Sequence, residues 1–178
     1  GNCKKLKAIT IPYGVETIGV FCNCESLKEV VIPDSVTTIG TGSGRLTSTS
    51  SDGITYDYGP INGTFYGCTN LEKVVLPKNI TEITAAQFRD CTKLTKLDIP
   101  SGVKSIGDSA FYGSGIEGVV IPESVETLGS RVFVQCKNLR KVVFPTHGRA
   151  DWLSSFSGCD NLSEIVFPED SDFQMGYS

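Results

Sequence analysis

The chain is patterned as a series of short alternating apolar runs, each closed by proline. AITIP, EVVIP, KVVLP, KLDIP, GVVIP, KVVFP and EIVFP end at Pro12, Pro33, Pro77, Pro100, Pro122, Pro145 and Pro168. The spacings are 21, 44, 23, 22, 23 and 23 residues, so the period is 23, with an insertion of 21 after Gly40 and short deletions near Phe21 and Gly115. Alternation within each run predicts a strand with one buried face. Proline ends that strand, because it cannot donate to a ladder, and starts a turn. The inward columns are Ile9, Val30, Val74, Leu97, Val119, Val142 and Ile165, then Ile11, Ile32, Leu76, Ile99, Ile121, Phe144 and Phe167. Leucine or isoleucine recurs from Leu6 to Leu162, a V-x-x-I pair follows most of the prolines, and phenylalanine recurs from Phe21 to Phe156. The stretch 105–113 (SIGDSAFYG) is long enough for one or two helical or 3₁₀ turns. A 23-residue unit cannot bury its own apolar face, whereas stacking makes the columns continuous. The prediction is a single α/β solenoid domain over 1–178. It has about seven repeats, a parallel sheet on one face, and short helical or 3₁₀ turns and loops on the other.

The unit reads C-x-x-L-x-x-V-x-I-P-x-x-V-x-x-I-G-x-x-x-F-x-G. Its L-x-x-V-x-I core falls in the 20–29-residue class of leucine-rich repeats. The particular form resembles the BspA-like leucine-rich repeat of bacterial and protist surface proteins, over residues 3–168. The resemblance implies a modular cell-surface or secreted protein that acts in adhesion or host interaction and is not an enzyme. It implies no cofactor, and a protein or glycan ligand on a host or neighbouring cell. The alternatives are a structural spacer in a larger surface protein and a regulatory repeat protein inside a cell. A monomer is expected. Copy six departs from the pattern: THGRADWLSSF after Pro145 lacks the V-x-x-I pair, and Trp152 and Leu153 are expected to fill that layer. The chain begins in mid-repeat at Gly1-Asn2-Cys3, as expected of a piece of a longer array. The polar tail EDSDFQMGYS could cover the last rung, with Phe173 as a plug.

Charge and cysteine count narrow the chemistry. A net charge of −4 without a Lys/Arg run argues against nucleic acid as a partner. No apolar stretch approaches the roughly 18–20 residues of a membrane span. Seven Cys against one His exclude a zinc site built on His pairs and leave disulfides, a Cys-only metal site or structural thiols. Six of the seven fall in one column, each nine residues before its proline: Cys3, Cys24, Cys68, Cys91, Cys136 and Cys159, with Ser114 in the corresponding neighbourhood of the fifth copy. Stacked equivalents point one way, which is poor disulfide geometry and spreads thiolates rather than converging them on a metal. The column therefore favours structural thiols, and the family resemblance implies that each bonds neighbouring backbone. Cys22 lies outside the column. His147, the only histidine, is expected in an exposed turn, away from any cysteine it could activate.

Two surfaces remain as candidates for a partner. One is the outward column between the strand core positions: Thr10, Val31, Val75, Asp98, Val120, Val143 and Val166, flanked by Ala8, Glu29, Lys73, Lys96, Gly118, Lys141 and Glu164. An apolar stripe edged by charge fits a binding face, although β-branched residues also suit any ladder. The other is the insertion 41–61. Its Ser/Thr/Gly-rich first half is expected to be mobile, and Ile54, Tyr56 and Tyr58 alternate as a hairpin strand would. Insertions in repeat proteins often carry recognition.

Overall fold

The computed structural model describes residues 2–40, 45–52, 54–60, 63–151 and 155–176; at 45–48, 56–60, 150–151 and 175–176 only the backbone is described. The first of each pair of strands ends at the proline, as the alternation requires: β1 (Ala8–Thr10), β3 (Glu29–Val31), β7 (Lys73–Val75), β10 (Gly118–Val120), β12 (Lys141–Val143) and β14 (Glu164–Val166). They form two parallel three-stranded sheets on one face, β1-β3-β7 and β10-β12-β14. The V-x-x-I segments form a second set of short strands. They are β2 (Thr17–Ile18), β4 (Thr38–Ile39), β8 (Glu82–Ile83), β9 (Ser105–Ile106) and β11 (Thr127–Leu128); β13 (Arg149–Asp151) and β15 (Gln174–Gly176), which lack the pair, extend the set. β2 pairs with β4, and β8, β9, β11, β13 and β15 stack in chain order, all parallel.

The expected helical or 3₁₀ turns are not formed. No helix of a full turn is found among the described residues, and the fold is a parallel β-solenoid rather than an α/β one. Ser105–Ile106 is strand β9, and 108–113 is a run of turns. The reason lies in where the backbone bonds go. Ser109, Phe111 and Gly113 donate to Ser130, Val132 and Val134 of the next rung, at 2.8–3.0 Å, and only the alternate N–H groups close turns within the rung. A helix needs every N–H for its own turn. Left-handed residues also interrupt the segment, at Ser109 (φ 56) and Gly113 (φ 64).

The core sits between these walls. Phe21, Phe65, Phe88, Phe111, Phe133 and Phe156 stack face to face, with successive centroids 5.6–6.0 Å apart and planes within 15°. The leucine column at Leu27, Leu71, Leu94 and Leu139 is fully buried. A second periodicity runs through the residue before each cysteine position. Asn2, Asn23, Gly67, Asp90, Gly113, Gln135 and Gly158 are all left-handed. From Asn23 onward large and small alternate: the side chains of Asn23, Asp90 and Gln135 occupy the space a Cβ would need at Gly67, Gly113 and Gly158.

In copy six, β13 takes the place of the missing V-x-x-I pair, with Ala150 opposite Leu128. Trp152 and Leu153 lie outside the described residues. Phe173 does pack onto the last rungs, 5.0 Å from Phe144 and 6.2 Å from Phe167. Gly148 makes room for it, since a Cβ there would meet its ring. The insertion forms an antiparallel hairpin of β5 (Arg45–Thr49) and β6 (Thr55–Pro60). Part of its Ser/Thr-rich first half, Arg45–Thr49, is a strand: the alternation of the second half supplies an edge, and Thr-rich sequence is well suited to pair with it.

Candidate partner-binding face

Strands β3, β7 and β10 bury their middle residue and present two outward, while Ile9 of β1 and Ile165 of β14, at the ends of the stack, are half-buried. The in-register ladders align Thr10, Val31 and Val75 on one side and Val120, Val143 and Val166 on the other. Val31, Val75 and Val120 are 51%, 43% and 67% exposed. Val143 and Val166 are half-buried, so the exposed stripe is centred on the middle of the face. The flanking charges are mutually paired: Lys73 Nζ lies 2.5 Å from Glu29 Oε1, and Lys141 Nζ 2.8 Å from Glu164 Oε1.

Rung four breaks the face. Lys96–Asp98 pairs with neither neighbour as a strand, and no ladder bond joins it to rung three or five among the described residues. Aspartate is depleted in strands, and Asp98 stands exposed where valine stands in most rungs. Grooves open on both sides of it. One of about 210 Å³ runs along Val75, Lys78 and Asp98; one of about 450 Å³ runs along Lys96, Asp98, Glu117 and Val120. The broken rung therefore turns a flat ladder into an apolar face with a central acidic step. The interruption has a sequence signal in the KLDIP run, whose outward residue alone is acidic.

The second candidate, Tyr56 and Tyr58, lies in strand β6, but both side chains fall outside what the structure describes. Ile54 at the hairpin turn is exposed.

The cysteine column is structural. The thiols of Cys68, Cys91, Cys136 and Cys159 donate to the carbonyls of Phe21, Phe65, Phe111 and Phe133 in the preceding rung, at 2.9–3.3 Å. Burial pushes the Cys68 and Cys136 thiols up to about 12 and that of Cys159 to about 11. Cys91, fully enclosed, is pushed well above the ordinary thiol range for the same reason. Thiols held protonated and engaged with carbonyls are poor nucleophiles and poor metal ligands. Ser114 stands in for the missing cysteine and lies 3.5 Å from Cys136 Sγ. His147 is exposed and hydrogen-bonds through Nδ1 to Asp172.

The family profile described as the BspA-type leucine-rich repeat region matches six copies, over residues 1–49 and 61–175. The chain belongs to the BspA-type leucine-rich repeat family. Solved structures with the same fold include the leucine-rich repeat protein of T. pallidum, at 28% identity and TM-score 0.65, covering 85% of this chain and 62% of that one. A leucine-rich repeat protein from Bacteroides ovatus, 24% identical with TM-score 0.60, matches over 93% of this chain and 45% of its own. A leucine-rich cell surface protein from Faecalibacterium prausnitzii, 27% identical with TM-score 0.55, matches over 90% and 32%. The chain thus spans less than two thirds of each of these leucine-rich repeat proteins. No curated protein matches it.

Proposed function

We propose that this BspA-type solenoid is a protein-binding scaffold of a cell-surface or secreted protein, and that it engages its partner through the sheet face around rung four. The observation that carries this is the clustering of exposed apolar side chains. Of the five large hydrophobics that stand exposed among the described residues, Val31, Val75 and Val120 share one column. Apolar side chains gathered in one line mark interaction sites more than the same residues scattered singly. The grooves beside Asp98 add relief that a partner's side chains can enter, and the paired charges on the flank supply a polar rim. Surface display is supported by the family and by the cell surface protein among the structural relatives.

The test is a solid-phase screen against extracellular-matrix and host-surface proteins, with the double variant Val75→Asp/Val120→Asp as control. Aspartate disfavours the ladder at rung four, so melting and circular dichroism are compared with the parent. Val75→Thr/Val120→Thr, which keeps the β-branch while adding a hydroxyl, serves as a second variant. A loss of about tenfold or more in affinity supports the face. Undiminished binding of the double variant, or no ligand at all, favours the spacer reading, in which the valines serve only the ladder.

A further inference from the structure

On the ridge away from the sheet face, six rungs carry a two-residue turn between cysteine and leucine: Lys4-Lys5, Glu25-Ser26, Thr69-Asn70, Thr92-Lys93, Lys137-Asn138 and Asp160-Asn161. Rung five does not. Its spacing is one residue short, C-x-x-L becomes Ser114-Gly115-Ile116, and no turn forms there. The backbone withdraws toward rung four: Gly115 N donates to Cys91 O at 3.1 Å, and a Cβ at Gly115 would strike Thr92 O. The missing residue leaves a notch of about 490 Å³ in the ridge. Rung four forms one wall and rung six the other, two steps of 5.6 Å apart on the phenylalanine stack.

The notch interrupts a regular chain of polar contacts. Along the ridge, a turn side chain donates to a turn carbonyl of the preceding rung. Asn70 Nδ2 reaches Glu25 O at 2.6 Å, Thr92 Oγ1 reaches Thr69 O at 3.2 Å, and Asn161 Nδ2 reaches Lys137 O at 2.6 Å. Asn138 has no turn behind it to receive its amide, and Thr92 O has no turn side chain in front to receive. Neither makes a hydrogen bond among the described residues. A donor and an acceptor thus flank the same gap, and Asp90, Gln135 and Lys137 join them in lining it. Tyr112 also lines it, held in place by the Arg89 guanidinium 4.3 Å from its ring centroid. Burial raises the Asp90 carboxyl above the usual carboxylate range, against the opposing effect of Arg89, which stands 3.7 Å away.

We propose that this notch binds one pyranose unit of a glycan. Neighbouring hydroxyls both donate and accept, which matches the Thr92 carbonyl and the Asn138 amide that no protein group engages. One ring fills the width of a single missing turn. Opposed charges at Asp90 and Lys137 favour a neutral ligand over an ionic one. The site is separate from the sheet face and does not depend on it.

The probe is a panel of D-glucose, D-galactose, D-mannose, L-fucose, N-acetylglucosamine and N-acetylgalactosamine, followed by saturation-transfer difference NMR and titration. At least one sugar is expected to show saturation transfer. Its dissociation constant should rise about tenfold in Asn138→Ala. Asn138 is exposed and makes no side-chain bond, so this variant folds like the parent, as circular dichroism would verify. Inserting one threonine after Gly115 restores the missing turn and should abolish binding. Val75→Asp/Val120→Asp should leave it unchanged, which separates this site from the protein-binding face. No transfer for any sugar at about 10 mM, above the millimolar range expected of one small site, overturns the proposal. Binding that survives Asn138→Ala unchanged does so too.

Discussion

A buried thiol in this solenoid does the work of a short hydrogen-bond donor. Cys91 is fully enclosed and its Sγ–H reaches Phe65 O at 3.1 Å. Phe65 O also accepts the Cys68 N–H at 3.1 Å, so the thiol supplies its second hydrogen bond, worth about 0.5–1.5 kcal/mol, rather than rescuing an unpaired acceptor. Cys91→Ser keeps a donor and should lower stability less than Cys91→Val, which removes it. Urea unfolding should separate the two by about 0.5–1.5 kcal/mol. The pH response has a definite sign. A thiol whose folded value is raised binds its proton more tightly in the native state, so its contribution is fully present below the ordinary thiol range. It is lost as pH rises from about 9 toward about 12, the level to which Cys68 and Cys136 are pushed. Stability should therefore fall in alkali. The six-cysteine column was legible in the sequence because each cysteine keeps a fixed distance from its proline. The acceptor was not legible: the phenylalanine carbonyl belongs to another rung, and only the stacked backbone brings it within reach.

At the scale of the element, strand β15 is held against β13 by several small contacts. Gln174 N donates to Gly148 O at 2.7 Å, Asp172 N to Thr146 O at 3.0 Å, and Phe173 fills the space above Gly148. The Asp172 carboxylate hydrogen-bonds to His147 and raises that imidazole above its ordinary value. A raised histidine stabilises the docked strand fully below pH 6.5 and loses that contribution as pH climbs through the raised value. The amide protection factor at Gln174 should accordingly be higher at pH 5.5 than at pH 8. In Asp172→Asn the difference should vanish. His147 is largely exposed, so the effect is local and does not move global unfolding. Among elements, the proline-ended strands could be read directly, since V-x-I alternation has only one strand solution. The far side could not. Nine residues of mixed small and apolar character fit a helix as well as a chain of turns, and left-handed Ser109 with its inter-rung bond decides for turns. The break at rung four followed from one acidic residue, Asp98, whose effect on pairing shows only once its neighbours are in place.

The whole molecule is a linear stack, so its parts report mainly on their neighbours. The hairpin of β5 and β6 leaves the rung after Gly40 and returns before Gly63. Contacts outside it already join the stem: Gly40 N donates to Ile18 O at 2.9 Å, Phe21 N to Thr64 O at 2.7 Å, and Thr64 Oγ1 bonds Gly40 O. Removing 42–60 should change unfolding free energy by less than about 1 kcal/mol, because loop length costs little closure entropy. Thermal melting of the deletion variant checks this, and binding at the sheet face should persist. The candidate face itself was half legible. The valine column is plain in the sequence, but which valines stand clear of their neighbours depends on where the ladder is interrupted. The alternation at the left-handed column carries a consequence for how such a molecule grows. Asn23 lies over Gly67, Asp90 over Gly113 and Gln135 over Gly158, so from Asn23 onward each large residue has a small successor, whereas Asn2 and Asn23 stack amide on amide through a 3.0 Å bond. The sequence repeats every rung, yet the steric code repeats every second one. Duplication of a single rung from this stretch sets glycine on glycine, or a large side chain such as the Asp90 carboxylate on its own copy; duplication of a pair preserves every fit. The inheritable unit of this array is the couplet.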